Sequence, residues 1–249
     1  MNSKRIEKIH ALLKGIETGD EASVEVISPD RYIQHNPQTN TGRDGLAALF
    51  KRLSKSNPRV NLVRRFSDGD YVFAHTEYDF SRRRIGFEVF RFEGEFAVEH
   101  WDNIQSRMGP NPSGHTMVDG PVEVTDIDAT ESNRERARSF VGEVLINREL
   151  DALESYVDEE SYVEHNPVFG DDLSSLRSAL FSGRLRYDRN HRILANGNFT
   201  LSVSEGYKDD VHVSFYDLFR FAEGKMVEHW DTTEGIPPES EWKNENGKF

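Results

Sequence analysis

Val98-Glu99-His100-Trp101-Asp102 recurs unchanged as Val227-Glu228-His229-Trp230-Asp231, 129 positions later. Each copy follows Phe-Arg-Phe, at Phe90-Arg91-Phe92 and Phe219-Arg220-Phe221. Upstream, Tyr32-Ile33-Gln34-His35-Asn36-Pro37 corresponds to Tyr162-Val163-Glu164-His165-Asn166-Pro167 at an offset of 130. Two words in the same order at nearly the same offset mark a tandem duplication. The 249 residues therefore divide into two units of ordinary domain size, about 120 residues each. The expected first unit runs over 1–118, with a linker at about 109–128, and the second over 129–249.

Composition narrows the chemistry. The chain has no cysteine, which excludes disulfides, thiolate metal sites and a cysteine nucleophile. That usage fits a reducing cytosol. Met1 leads directly into the charged Lys4-Arg5-Ile6-Glu7-Lys8, so neither a signal peptide nor a membrane span is expected. A net charge of −13 disfavours nucleic acid and anionic membrane as partners.

Within each unit, helical periodicity comes first. Ile6, Ile9, Leu13 and Ile16 recur at helical spacing, predicting an amphipathic helix over 4–18. A short helix over 21–27 follows. The His-Asn-Pro word is then extended or turned, because a residue before proline avoids the helical region. Leu46, Leu49, Phe50 and Leu53 mark a further helix. From Arg59 aromatic and branched residues alternate in runs broken at Asp68-Gly69-Asp70 and Glu93-Gly94, which predicts an antiparallel meander. The second unit repeats the plan, and its tail from Pro237 is expected on the surface. Helices set apart from a sheet give an α+β class, and a curved sheet against helices leaves a concave face for a small ligand.

Strand alternation sorts the repeated word. Val98, His100 and Asp102 share one face; Glu99 and Trp101 share the other. Glu88, Phe90 and Phe92 line up in the preceding strand, as do Asp217, Phe219 and Phe221. A carboxylate among phenylalanines is partly desolvated and holds its proton more tightly, which is how a general acid or base for neutral pH is made. The functional reading gathers His35, Glu88, His100 and Asp102 in one pocket, and His165, Asp217, His229 and Asp231 in the other. Asn36, Asn166, Phe90 and Phe219 would contact the substrate. A structural reading stands beside it: Asn36 and Asn166 bond their own backbone, proline fixes the turn, and His100 is satisfied by that turn. A metal on His35, His100 and Asp102 is a third reading, although separations of 65 and 64 residues do not make a local ligand motif. Trp101 and Trp230 suit packing on the outer face. His75 aligns with Val203 and His191 with Val63, so neither belongs to a shared site.

His-Asn-Pro early and Gly-Lys-Met-Val-Glu-His-Trp-Asp late (Gly224–Asp231) resemble the SnoaL-like, polyketide cyclase-like branch of the nuclear transport factor 2 superfamily. Asn111-Pro112-Ser113-Gly114 and Thr125-Asp126-Ile127-Asp128 are similar to linker words of that branch, as is the ending from Glu241. The resemblance covers both units. It implies two cones, each a strongly bent mixed sheet with helices, arranged as an intrachain pseudo-dimer, with further association of chains left open. It implies acid/base chemistry in the cone, commonly without cofactor, with Asp102, Asp231, His100 and His229 as matching positions and Glu88 and Asp217 one strand earlier. The expected function is a cofactor-independent enzyme of the cyclase, isomerase or dehydratase kind, performing aldol-type chemistry on a small, apolar, carbonyl-bearing molecule. The alternatives are a non-catalytic binding protein using the same cone, and a structural pseudo-dimer with vestigial pockets.

Overall fold

In the computed structural model of the chain, which describes residues 2–249, the first apolar stripe forms helix α1 (Asn2–Thr18). Ile9, Leu12, Leu13 and Ile16 are buried along it, on the single face that three- and four-residue spacing creates. Gly19 ends the helix with φ +70°, the left-handed stop that glycine accommodates best. The segment expected as a second helix is a tighter 3-10 turn, Glu21–Val26, whose Ala22 amide donates to the Asp20 carboxylate at 3.0 Å. Strand β1 (Ile33–Gln34) and helix α2 (Arg43–Leu53) follow.

Four long strands complete the first unit: β2 (Arg59–Asp68), β3 (Tyr71–Asp79), β4 (Arg83–Glu93) and β5 (Phe96–Ser106). Their order is β1-β5-β4-β3-β2. The long strands form the expected antiparallel meander, but β1 pairs with β5 in parallel, Ile33 against Glu99 and Gln34 against His100. The sheet is therefore mixed.

The second unit repeats this order. Helix α3 (Thr130–Phe140) runs on into a wider π-helical turn over Val141–Ile146, and a 3-10 turn leads into α4 (Leu153–Tyr156). After β6 (Val163–Glu164) and α5 (Ser174–Ser182) come β7 (Leu185–Asn196), β8 (Phe199–Lys208), β9 (Val211–Ala222) and β10 (Lys225–Gly235). Their order is β6-β10-β9-β8-β7, with β6 parallel to β10. Glu223 and Gly224 both have positive φ, +50° and +74°, as a two-residue hairpin of matching twist requires.

A bulge corrects the simple alternation of the repeated word. Pairing passes from Arg91–Glu99 to Phe92–Ala97, skipping Val98, and from Arg220–Glu228 to Phe221–Met226, skipping Val227. An extra residue shifts which neighbours share a face. Ala97 and Met226, not Val98 and Val227, accordingly join the helix-packed cores. His100 and Asp102 keep their expected places beyond the bulge.

The boundaries also differ from those expected. One unit ends at Ser106 and takes in Ile236–Phe249; the other is Arg107–Gly235. The segment after β5 thus folds with the second His-Asn-Pro word, and the tail after β10 folds with the first. The tail is more than a surface wrap: Asn244 Nδ2 donates to the Asn36 carbonyl at 2.8 Å, and the Lys248 side chain is buried. Among the described residues, no helix is long and apolar enough to cross a membrane.

Candidate functional site

In the second unit the cross-strand register sets Asp217 opposite Asp231 and Phe219 opposite His229. Directly opposed residues of antiparallel strands point to one face, so four side chains meet on the face that packs against the helices. His229 Nε2 lies 3.2 Å from Asp217 Oδ1, and its Nδ1 lies 2.9 Å from Glu164 Oε1. With a carboxylate on each ring nitrogen, both nitrogens donate and the ring is an imidazolium. Burial opposes that charge, but Glu164 and Asp217 outweigh it and raise the His229 pKa well above its ordinary value. Burial likewise acts against the Glu164 carboxylate, yet His229, the Tyr162 hydroxyl and the Asn166 amide lower its pKa.

Two carboxylate oxygens of this cluster have no hydrogen-bond partner: Asp217 Oδ2 and Asp231 Oδ1. Both residues are buried, 2% and 7% exposed. The other Asp231 oxygen accepts from Asn166 Nδ2 at 2.8 Å. Burial first, then the Asp217 and Glu164 charges, push the Asp231 pKa up to about 6 against the pull of His229. Asp217 Oδ1 also accepts from the Tyr187 hydroxyl at 3.2 Å, and Glu164 Oε2 from Tyr162 at 2.6 Å. Burial beside carboxylates raises both phenol pKa values well above the ordinary tyrosine value, so both stay donors.

This polar cluster forms one wall of a cavity. Asp217 and His229 line it with Phe140, Leu145, Leu153 and Met226 among its apolar walls. The cavity they line has a volume of about 20 Å³. That is room for roughly one water with the side chains as placed. Phe219 also lines it and stacks on His229 at 5.2 Å.

The first unit assembles the counterparts differently. His100 Nε2 lies 2.7 Å from Glu88 Oε2, and Nδ1 lies 3.0 Å from Gln34 Oε1. The Asn36 amide donates to the same Gln34 oxygen at 2.9 Å, which fixes the orientation of that side-chain amide. His100 Nδ1 therefore carries a proton, and a further proton is shared between His100 and Glu88. Tyr78 donates to Glu88 Oε1 at 2.7 Å. Tyr32, whose counterpart Tyr162 bonds Glu164, has a buried hydroxyl without a partner. Phe90 stacks on His100 at 4.2 Å. Asn36 Nδ2 donates to Asp102 Oδ2 at 2.7 Å, and Lys248 Nζ donates to the Asp102 carbonyl at 2.8 Å and lies 3.5 Å from Oδ1.

His35 and His165 do not join these clusters. On a two-residue strand the inward place falls to the preceding residue, Gln34 or Glu164, and the histidine turns to the other face. His35 stacks on Trp101 at 4.7 Å, with Nε2 3.0 Å from Glu99 Oε1 and Nδ1 3.0 Å from the Gly247 carbonyl. Burial pulls its pKa down, while those two acceptors pull the other way. His165 stacks on Trp230 at 4.6 Å, with Nε2 2.9 Å from Glu228 Oε1 and Nδ1 2.7 Å from the Thr116 carbonyl. Arg91 and Arg220 donate to the far oxygens of Glu99 and Glu228 at 2.7 and 2.6 Å. The outer half of each word thus pins the His-Asn-Pro turn to the sheet.

Asn36 and Asn166 serve both readings at once. Their Oδ1 atoms accept the Gln38 and Val168 amides at 2.8 Å, shaping the turn, while their Nδ2 atoms hold Asp102 and Asp231. The expected ligand set of His35, His100 and Asp102 does not form. Glu88, His100 and Asp102 do offer ligand atoms within 4.8 Å of one another. The Lys248 ammonium, 3.5 Å from Asp102 Oδ1, opposes a second cation there.

Sequence reasoning missed Gln34, Glu164, Tyr32, Tyr162, Tyr78, Tyr187 and Lys248. Alternation along Tyr32-Ile33-Gln34 would have found the first four, since Gln34 and Glu164 fall two residues after their tyrosines. Nothing local marks Lys248, 146 residues from Asp102.

No family model matches the chain, and no curated protein matches it. Solved structures do. TsrD from Streptomyces laurentii is 19% identical, with 40% of this chain and 86% of that chain covered at a TM-score of 0.36. An NTF-2 like protein of unknown function from Burkholderia xenovorans LB400 is 14% identical, covering 43% and 86% with a TM-score of 0.37. An M. tuberculosis LEH-like epoxide hydrolase is 19% identical, covering 42% and 84% with a TM-score of 0.33.

Proposed function

We propose that this chain is a cofactor-independent acid/base enzyme of the cyclase, isomerase or dehydratase kind, acting on a small, largely apolar carbonyl compound, with its working site in the second unit. The observation that carries this reading is the unpartnered Asp217 Oδ2 at the wall of an apolar cavity, beside the His229 imidazolium.

The chemistry follows from which oxygen is occupied. Tyr187 and His229 hold Asp217 Oδ1, so Oδ2 is the atom that takes a proton from a carbon next to a carbonyl. The C–H electron pair moves into the carbon–carbon bond, and the carbonyl oxygen becomes an enolate. The His229 charge, fixed in a water-poor site, favours that oxyanion. The enolate carbon then takes back a proton or attacks a second carbonyl in an aldol closure. The protonated Asp217, which lines the cavity, then gives its proton to the product oxygen. The chain's own groups provide acceptor and donor, so the reading calls on no cofactor.

Binding without turnover is the second reading, supported by the predominance of apolar walls such as Leu153, Leu176 and Met226. Deuterium uptake at the α-carbons of a panel of small ketones in D2O separates the two. The enzyme reading expects uptake that falls by about 10²-fold or more in Asp217→Asn. Equal uptake in the variant would remove Asp217 from the role, and a ligand that binds with no uptake would favour simple binding.

A further inference from the structure

The duplication provides an internal comparison of one hydroxyl. In the first unit Tyr78 on β3 faces Val60 on β2. In the second unit Gly206 on β8 faces Tyr187 on β7. The two pairs are equivalent. The next residue across is Arg84 in one sheet and Val213 in the other, each four positions before the carboxylate of its strand, Glu88 or Asp217. The tyrosine has changed strands within one cross-strand pair, and its bond is retained. Tyr78 donates to Glu88 Oε1 at 2.7 Å, and Tyr187 donates to Asp217 Oδ1 at 3.2 Å.

Packing explains the exchange. A Cβ on Gly206 would stand 1.9 Å from the Arg186 carbonyl oxygen. Strand β8 thus lies too close to β7 to carry a side chain there, and β7 supplies the phenol instead. In the first unit a Cβ on Gly86 would stand 2.6 Å from the Tyr78 ring. The second unit fills that position with Phe215, which stacks on Tyr187 at 4.2 Å. Two different packings deliver a phenol to the same carboxylate position, so the hydroxyl is what the two units share.

The donors near Asp217 differ in what they can do. His229 Nδ1 and the Tyr162 hydroxyl donate to Glu164 at 2.9 and 2.6 Å, and that carboxylate stays charged through the proposed reaction. His229 Nε2 and Tyr187 both donate to Asp217 Oδ1 at 3.2 Å, well beyond the roughly 2.5–2.7 Å of a strong hydroxyl–carboxylate bond. When Oδ2 takes a proton, Asp217 loses its charge and both bonds weaken. The His229 N–H is fixed in a ring held by Glu164 and stacked on Phe219. The Tyr187 hydroxyl rotates about its C–O bond, and Tyr187 lines the cavity beside Asp217.

We infer that Tyr187 is a further catalytic residue: its hydroxyl holds Asp217 Oδ1 while that carboxylate is charged, then turns to donate to the enolate oxygen as Oδ2 takes the proton. The inference rests on the reading above and adds a directed donor to the diffuse charge of His229. No proton leaves Tyr187; its hydrogen bond follows the negative charge from the carboxylate to the substrate oxygen. Burial beside Asp217 raises the phenol pKa well above the ordinary tyrosine value, which keeps the proton in place.

Tyr187→Phe deletes the hydroxyl and keeps the ring on Phe215. His229 still holds Oδ1, so the variant keeps its fold, which its amide spectrum checks. Acetone is the probe. Its deuterium uptake is followed against pH in D2O, and its binding by chemical shifts of the full-length protein. Tyr187→Phe should lower the maximal uptake rate about 10²–10³-fold while acetone affinity changes little. A hydroxyl that only positions Asp217 would shift the pH at which uptake sets in and leave the maximal rate intact. That result overturns the role of Tyr187 and leaves the proton-transfer site standing. No uptake by the parent protein overturns both.

Discussion

Glu164 holds His229 from the side opposite Asp217, with Oε1 2.9 Å from Nδ1. In the first unit Gln34 stands there against His100, at 3.0 Å. One side-chain amide in place of one carboxylate separates an imidazole clamped between two anions from one that shares a proton with a single anion. Glu164 touches His229 rather than the cavity, so it is a positioning residue for the proposed base.

Glu164→Gln should convert the second site to the pattern of the first. The His229 pKa should fall by a unit or more, about 1.4 kcal/mol per unit, because the largest raising influence on it is removed. Ring nitrogen shifts measured against pH read this directly. Gln34→Glu should do the reverse and give the stranded Tyr32 hydroxyl an acceptor.

The same cluster sets a pH window for stability. His229 has a raised folded pKa, so its contribution is complete below its unfolded value of 6.5 and fades as pH rises through the folded pKa. Glu164 has a lowered pKa, so its contribution is present above 4.5 and is lost as pH falls through the folded value. Asp231, raised from 3.8 to about 6, binds its proton more tightly when folded and costs stability as pH climbs through that interval. The second unit should be most stable near pH 4.5 and lose stability toward pH 6 as Asp231 ionises. Asp231→Asn keeps an oxygen for Asn166 and removes a cost of about 3 kcal/mol at pH 8. Its melting temperature should exceed the parent's at pH 8 and approach it only below about pH 4.

His165→Ala separates structure from chemistry. It deletes the stack on Trp230 and the bonds to Glu228 and Thr116, at an expected cost of about 2–4 kcal/mol in denaturant titration. Deuterium uptake per folded molecule should change little. A loss of uptake as large as that in Asp217→Asn would return His165 to the reacting group.

Truncation after Gly235 removes Asn244, Asn246 and Lys248 from the first unit, with their bonds to Asn36, Gln34 and Asp102. Amide hydrogen exchange should speed up around β1 and the His35 turn and stay slow around β6. Equal loss in both units would contradict assignment of the tail to the first.

Much of this was legible in the sequence. The repeated words gave two units, the helices-then-sheet order and the inward pairing of His100 with Glu88 and of His229 with Asp217, because alternation is a geometric rule. The rule misled at Val98 and Val227, where an extra residue breaks register and no local signal announces it. Residue type alone places His35 and His165 in the pocket, but both stack on the tryptophans of the opposite face instead. Gln34 and Glu164, one residue earlier, hold the inward place and set the protonation of the partner ring. Lys248 was illegible because only folding brings it across 146 residues to Asp102.

The second unit keeps an imidazolium between two carboxylates, beside a carboxyl group whose pKa is pushed up to about 6. A pH titration of the intact protein, following the His229 ring nitrogens and the Asp231 carboxyl carbon by NMR, measures both at once. His229 should stay protonated well above pH 6.5 and Asp231 should titrate near 6. A neutral His229 at pH 7, with Asp231 titrating near 3.8, would contradict this.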